Sequence, residues 1–568
     1  MILAPLALGV LWFALAYRFY GRRIGGWLGV DDRRAPPAVT QSDGVDYVAT
    51  RPLVLFGHHF SSIAGAGPIV GPVIAATAFG WLPALAWILV GAVFVGGVHD
   101  FSSLIASVRH GARSIAEISR RLIHPATYRA LLLFILLTMV YVIVVFLDLT
   151  ASSFAPVASL AADLPEDTRL TIREGGAVAT ASLLYIGLAL LFGLAVYRWR
   201  MRIGPATLVF VPLVFAAVAA GHRWPLTIEM IPSIAGSQKN FWNVVLLFYC
   251  WAASVLPVWL LLQPRDYLAS FLLYACLLGG LAGFGASALT GSLTAQYPAF
   301  RGWTHPELGF IFPALFVTIA CGAVSGFHSI VASGTTAKQL DRESSARSVG
   351  YGAMLVEGVL AIIAVLAVMV RAPEAGGGTP VQVFAGGLGR ALEVFGLPPV
   401  YAAIFGMLAV STFLLTTLDT CTRLARLLLQ ELVGAPPGAA ARTLASLGVL
   451  LLPAATVFGE IPGPGGVRMP VWKAIWPVFG ASNQLLAALA LLVVFGWLRS
   501  RLRPAAYVGV PMAFMLATTL TALAKLAWRN LAGGSAFVGA LAAVLLALAL
   551  WVLVDLLGGV RRARPDGV

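Results

Sequence analysis

Apolar runs of roughly twenty residues recur along this chain from Leu3 to Asp555, separated only by short polar breaks. A hydrocarbon layer about 30 Å thick takes about 20 apolar residues to cross as a helix, so the pattern predicts about fifteen membrane spans. Lipid offers the backbone no hydrogen-bond partners, and that selects an all-α polytopic fold. Composition bears on the alternative: 59% hydrophobic residues and 11% charged ones, with a mean hydropathy of +0.89, exclude a soluble multidomain enzyme.

The formal charge of +14 would point to nucleic acid in a soluble protein. Here the basic residues lie in short loops between apolar runs, the signature of cytoplasmic loops, and no nucleic-acid partner is implied. With the N-terminus outside, 27 of the 38 Lys and Arg residues fall on the inner side, among them Arg22, Arg109, Arg198, Arg265, Arg342 and Arg501. One missed span would invert every later loop and destroy this asymmetry. The expected partner is therefore the lipid bilayer of an inner or plasma membrane, with the C-terminus cytoplasmic. The opening MILAPLALGVLWFALAY lacks a basic leader segment and reads as a retained first span. Cys250, Cys276, Cys321 and Cys421 all lie inside predicted spans without CxxC spacing, so no disulfide framework, metal site or cofactor is suggested.

Three units follow: a first span with its basic loop over 1–52, a core over 53–432, and C-terminal spans over 433–568. The longest loops, near 18–52, 149–176 and 372–398, are rich in Pro, Gly and charge, as linkers are, and too short for a soluble catalytic or sensor domain.

The most informative span carries Gly65, Gly67, Pro68, Gly71 and Pro72 in the middle of an apolar run. Two prolines and three glycines so close together disfavour a continuous helix. Irregular backbone at membrane depth is tolerated only where protein or a watery cavity satisfies it, and carriers use such half-helix ends to hold substrates and ions. A second interruption is expected at Tyr249–Pro257, around Ser254, five spans later. That spacing suits an inverted five-plus-five repeat with halves near 53–221 and 242–422 and extra flanking helices. A third polar stretch, with Ser325, His328, Ser329, Ser333 and Thr336, crowds the span expected over 309–336.

Ionisable groups inside lipid are functional candidates by default. Asp100, beside His99, is the first choice for a proton or cation site. Glu357, where desolvation would let a carboxylate carry a proton, His58, His59 and His328 are the others. Ser333 and Thr336 are candidate cation ligands, although hydroxyls in membrane helices commonly bond back to their own helix. A substrate carboxylate fits the amide ends of the break at Gly65, Gly67, Pro68 and Gly71, with Ser254, Ser325, His328 and Ser329 as further candidates. Asp266, Asp341, Arg342 and Glu343 read as solvated or capping groups at cytoplasmic ends. Thr416, Thr417, Asp419 and Thr420 suit an inner gate or a wet helix end, and Asn483 and Gln484 read as packing residues with hydrogen bonds to a substrate as the alternative.

Six segments together resemble the carbon starvation protein A family of transporters: GHHFSSIAGAGPIVGPVIAA from Gly57, HDF at His99–Phe101, VLPVWLLLQPRDYL from Val255, CGAVSGFHSIVASGTTAKQL from Cys321, LTTLDTCTRLARLLLQEL from Leu415 and IWPVFGASNQLLAALAL from Ile475. The resemblance implies a cytoplasmic-membrane carrier for nutrient scavenging, with peptides and pyruvate as family substrates and proton coupling for the pyruvate carriers. It also implies kinship to the amino acid, polyamine and organocation superfamily, whose core is a LeuT-like broken-helix repeat. One departure stands out: His99 occupies a position where the family pattern leads one to expect Gln.

The leading expectation is thus a secondary carrier for a pyruvate-like carboxylate or a short peptide, coupled to protons or sodium. An intramembrane enzyme or haem protein lacks its motifs here, with no HExxH, GxSxG or CxxCH. A membrane nutrient sensor without transport is the other alternative.

Overall fold

The computed structural model describes residues 2–43, 47–120, 123–155, 176–226, 232–234, 237–257, 260–373, 378–435, 438–462, 468–533 and 535–562. Most of the expected 149–176 loop, Arg121, Arg564, and Val258 and Trp259 of the segment from Val255 lie outside the described residues.

Twelve helices among the described residues are long and apolar enough to cross a membrane. The pair Pro52–Ile63 and Gly67–Phe79, bent by 47°, makes a thirteenth span. The two other expected spans are helical as well: Gln238–Val255 stands near 242–263, and the 309–336 span is split into Ile311–Thr318 and Gly326–Gly334.

Two sequence expectations need correction here. Helix Gln238–Val255 runs without interruption through Tyr249 and Ser254 and stops at Leu256, whose backbone is extended. Pro257 marks a helix end, because a residue before proline is pushed out of the helical region. The second break inside a span lies instead between Thr318 and Gly326. The other correction is Pro380–Leu392, a buried helix inside the stretch expected to be a linker. Its signal is a capping box, in which Thr379 and Gln382 satisfy each other's backbone amides.

Burial separates a centre from a rim. The most apolar windows of Pro125–Phe154, Arg347–Met369 and Val471–Ser500 are about nine-tenths enclosed by other helices, whereas those of Leu3–Leu28, Ile203–Arg223 and Ala439–Thr456 are less than a third enclosed. A helix apolar on every side is satisfied equally by protein or lipid, so hydropathy alone does not rank them.

The two broken spans cross at their breaks. A β-carbon at Gly71 would fall 3.2 Å from the Ile319 α-carbon, and one at Gly67 would fall 2.6 Å from the Cys321 β-carbon. Only glycine lets the backbones approach this closely. Each broken span is followed by a helix with one π-helical stretch, Ala92–Gly96 ahead of His99 and Asp100, and Arg347–Gly352 ahead of Glu357. Such stretches interrupt the regular ladder and are frequent at functional sites. The Tyr351 hydroxyl donates to the Val93 carbonyl at 3.3 Å, tying one to the other. Among the described residues the only strands form two hairpins, Thr304–His305 with Gly309–Phe310 and Glu460–Pro462 with Arg468–Pro470.

Candidate functional site

Four titratable side chains meet beside the crossed breaks. His99 and Asp100 sit on Gly97–Arg109, His328 on the half-helix Gly326–Gly334, and Glu357 on Ala353–Met369. One Asp100 carboxylate oxygen lies 2.8 Å from His99 Nδ1 and the other 2.8 Å from His328 Nδ1. On its far side, His328 Nε2 is 3.4 Å from Glu357 Oε2. All four side chains are fully buried. His99 Nε2 and both Glu357 oxygens make no hydrogen bond among the described residues. Buried polar atoms left this way are costly, and functional sites are where that cost is retained.

This row, His99–Asp100–His328–Glu357, holds two acids and two bases within proton-transfer distance or one short step of it. Next along the first broken span, His59 Nδ1 lies 2.8 Å from Thr336 Oγ1, and His59 Nε2 is a further buried atom without a hydrogen bond. His58 is only partly buried, and its carbonyl accepts from Ser61 and Ser62.

Of the proposed substrate residues, Gly65, Gly67, Pro68 and Gly71 lie at the first break or just after it. A β-carbon at Gly65 would meet Thr417, so helix Pro399–Val433 closes over that break. Ser325 is the residue that starts the half-helix bearing His328. Ser329 and Ser333 donate to the carbonyls of Gly326 and Ser329, within their own helix. Ser254 is not brought to this site: its hydroxyl pairs with Ser446 at 2.7 Å on a flanking helix.

Asn483 and Gln484, read from the sequence as packing residues, hold the second break. Asn483 accepts from the Phe327 amide at 3.0 Å and donates to Ser325 Oγ at 3.0 Å. Gln484 donates to the carbonyls of Phe316 at 2.7 Å and Ile319 at 3.0 Å. Adjacent side chains thus satisfy both facing ends of the broken span, the groups that an interrupted helix leaves unpaired. No local signal gives this away, since a polar pair in an apolar helix does not say where its partners are.

A second buried cluster lies at Arg265, which the charge count placed in a cytoplasmic loop. Its side chain is fully buried and forms ion pairs with Asp266, at 2.7 Å, and with Asp419. It also donates to the Tyr249 hydroxyl at 2.9 Å and the Leu415 carbonyl at 3.1 Å. Asp419 is fully buried and Asp266 nearly so, neither a solvated end. Glu343 is also buried, accepting both Arg109 and the Asp31 amide, while Asp341 and Arg342 stay partly exposed.

Broken spans crossing at glycines, with a buried row of exchangeable protons beside them, define a membrane carrier. The profile of the family described as Carbon starvation protein CstA matches residues 2–376 and 374–522. The chain belongs to that family. It is 33% identical to the peptide transporter CstA of Escherichia coli, over 93% of this chain and 81% of the relative. It is 31% identical to the pyruvate/proton symporter BtsT of the same organism, over 85% of this chain and 75% of the relative. Among solved structures, a mutant of the Eremococcus coleocola manganese transporter covers 89% of this chain and 95% of its own, at 12% identity and a TM-score of 0.41.

Proposed function

We propose that this protein is a proton-coupled uptake carrier of the cytoplasmic membrane for a small carboxylate-bearing nutrient, pyruvate or a short peptide. The observation that carries the reading is the fully buried Asp100, held between His99 and His328 with Glu357 beyond. Two carboxylates and two imidazoles share one enclosed space, and burial makes any net charge there expensive. A proton gained or lost by the set changes that charge, so its loading and release are tied to access to water from either side. The substrate carboxylate binds at the first break, where the half-helix from Gly67 presents its amide end.

Arg265 and Asp419 act as an inner gate beneath that break, joining Leu262–Thr290 to Pro399–Val433. The N-terminus faces outward and the C-terminus the cytoplasm, as the basic loops require. With one proton per cycle a pyruvate anion crosses electroneutrally and is driven by the pH gradient, whereas a zwitterionic dipeptide carries one net charge, for which the membrane potential supplies about 2.3 kcal/mol per 100 mV. Uptake of labelled pyruvate and of a labelled dipeptide into proteoliposomes tests the reading. An inward proton gradient raises uptake of one of them in the wild type and leaves Asp100→Asn near the protein-free background. Gradient-independent uptake of both overturns proton coupling. Counterflow separates a carrier from a sensor, which exchanges nothing across the bilayer.

A further inference from the structure

On the face of the molecule opposite the basic loops, a cavity of about 410 Å³ opens above the outer end of the first broken span. Its floor includes Val73 and Thr77 of the half-helix Gly67–Phe79, and the hairpin turn between His305 and Gly309 hangs over it. Among the described residues three cations line it, Arg371, Lys473 and Arg529, against one carboxylate, Glu307. Burial in the hairpin pushes His305 below the ordinary imidazole range, so it is neutral at pH 7 and adds no charge. Arg371 has a partner of its own, so among the described residues Lys473 and Arg529 outweigh Glu307 by one positive charge. The carboxylate that partly offsets them sits on a turn: Glu307 Oε1 is 2.9 Å from Lys473 Nζ, and the Glu307 carbonyl accepts from Arg529.

The Lys473 and Glu307 side chains are 43% and 44% exposed. An ion pair that wet contributes little to stability, so exchange of one carboxylate for another is easy there. Glu307 thus occupies the place of an anionic ligand. We propose that this cavity is an outer-face binding site for a small organic carboxylate, which replaces Glu307 at Lys473 before moving inward past Val73 to the break. Its volume admits a few heavy atoms beyond a carboxylate, and its cationic wall raises the local concentration of the anion. The inference rests on the carrier reading above.

The test compares full-length wild type, Lys473→Gln and Glu307→Gln, each eluting as a single species, in pyruvate uptake and in pyruvate binding by calorimetry. Pyruvamide, the neutral analogue, is the control ligand. Lys473→Gln raises KM and Kd about three- to tenfold and leaves kcat within about twofold, whereas Glu307→Gln lowers both by about threefold. Pyruvamide does not compete. Wild-type transport with KM and Kd unchanged in both variants overturns the outer site and leaves the carrier reading standing. Binding that depends on Lys473 in a protein that moves no pyruvate supports the outer site and overturns the reading of pyruvate as cargo. Neither binding nor transport by the wild type overturns both.

Discussion

His99 stands where the sequence reading expects glutamine, and its geometry shows what the ring does there. With Nδ1 at 2.8 Å from Asp100, the ring serves that carboxylate as a hydrogen-bond donor. A glutamine amide donates in the same way, so His99→Gln retains proton-driven uptake within about threefold. His99→Leu leaves the carboxylate oxygen unpaired and lowers uptake by about tenfold or more, since stranding a buried charged acceptor costs about 1–3 kcal/mol. Rates in proteoliposomes at equal protein loading check both. Equal losses in the two variants would mean that the ring itself exchanges the proton. Asp100 was legible as a candidate from its place inside an apolar run, but its link to His328 was not. The two are 228 positions apart, and a single sequence carries no record of such a pairing.

At the scale of elements, the first break was legible because Gly65, Gly67, Pro68, Gly71 and Pro72 all act on the backbone locally. The second break was harder to see. Residues Ile319–Ser325 contain one glycine and no proline, and the break is held from outside by Asn483 and Gln484. Pro257 misled for the opposite reason: a proline reads the same at a helix end as at a break within a span. The crossing of the two breaks makes a specific prediction. The atoms nearest a β-carbon at Gly67 belong to Cys321, chiefly its side chain, whereas those nearest one at Gly71 are the Thr318 carbonyl and the backbone that follows it. Gly67→Ala therefore impairs transport, and adding Cys321→Gly restores much of it; Gly71→Ala impairs transport and is not rescued by that change. Uptake by the four variants, with thermal stability measured alongside, decides the matter. Failure of Cys321→Gly to rescue would show that the two breaks separate during transport.

At the scale of the whole molecule, the all-α polytopic class, the family and the position of nearly every span followed from hydropathy, charge and motif. Of the two breaks from which the inverted repeat was drawn, the first lies inside a span and the one at Pro257 is a helix end. With breaks at 64–66 and 319–325, each broken span is followed by a helix that supplies one acid, Asp100 or Glu357. We place the coupled proton on these two acids and on His328 between them. The most direct measurement is proton influx on pyruvate addition, read by a pH dye trapped in proteoliposomes, beside pyruvate counterflow in the same vesicles. The wild type acidifies the lumen, while Asp100→Asn and Glu357→Gln exchange pyruvate without moving protons. Acidification by both variants at the wild-type proton-to-pyruvate ratio would contradict it.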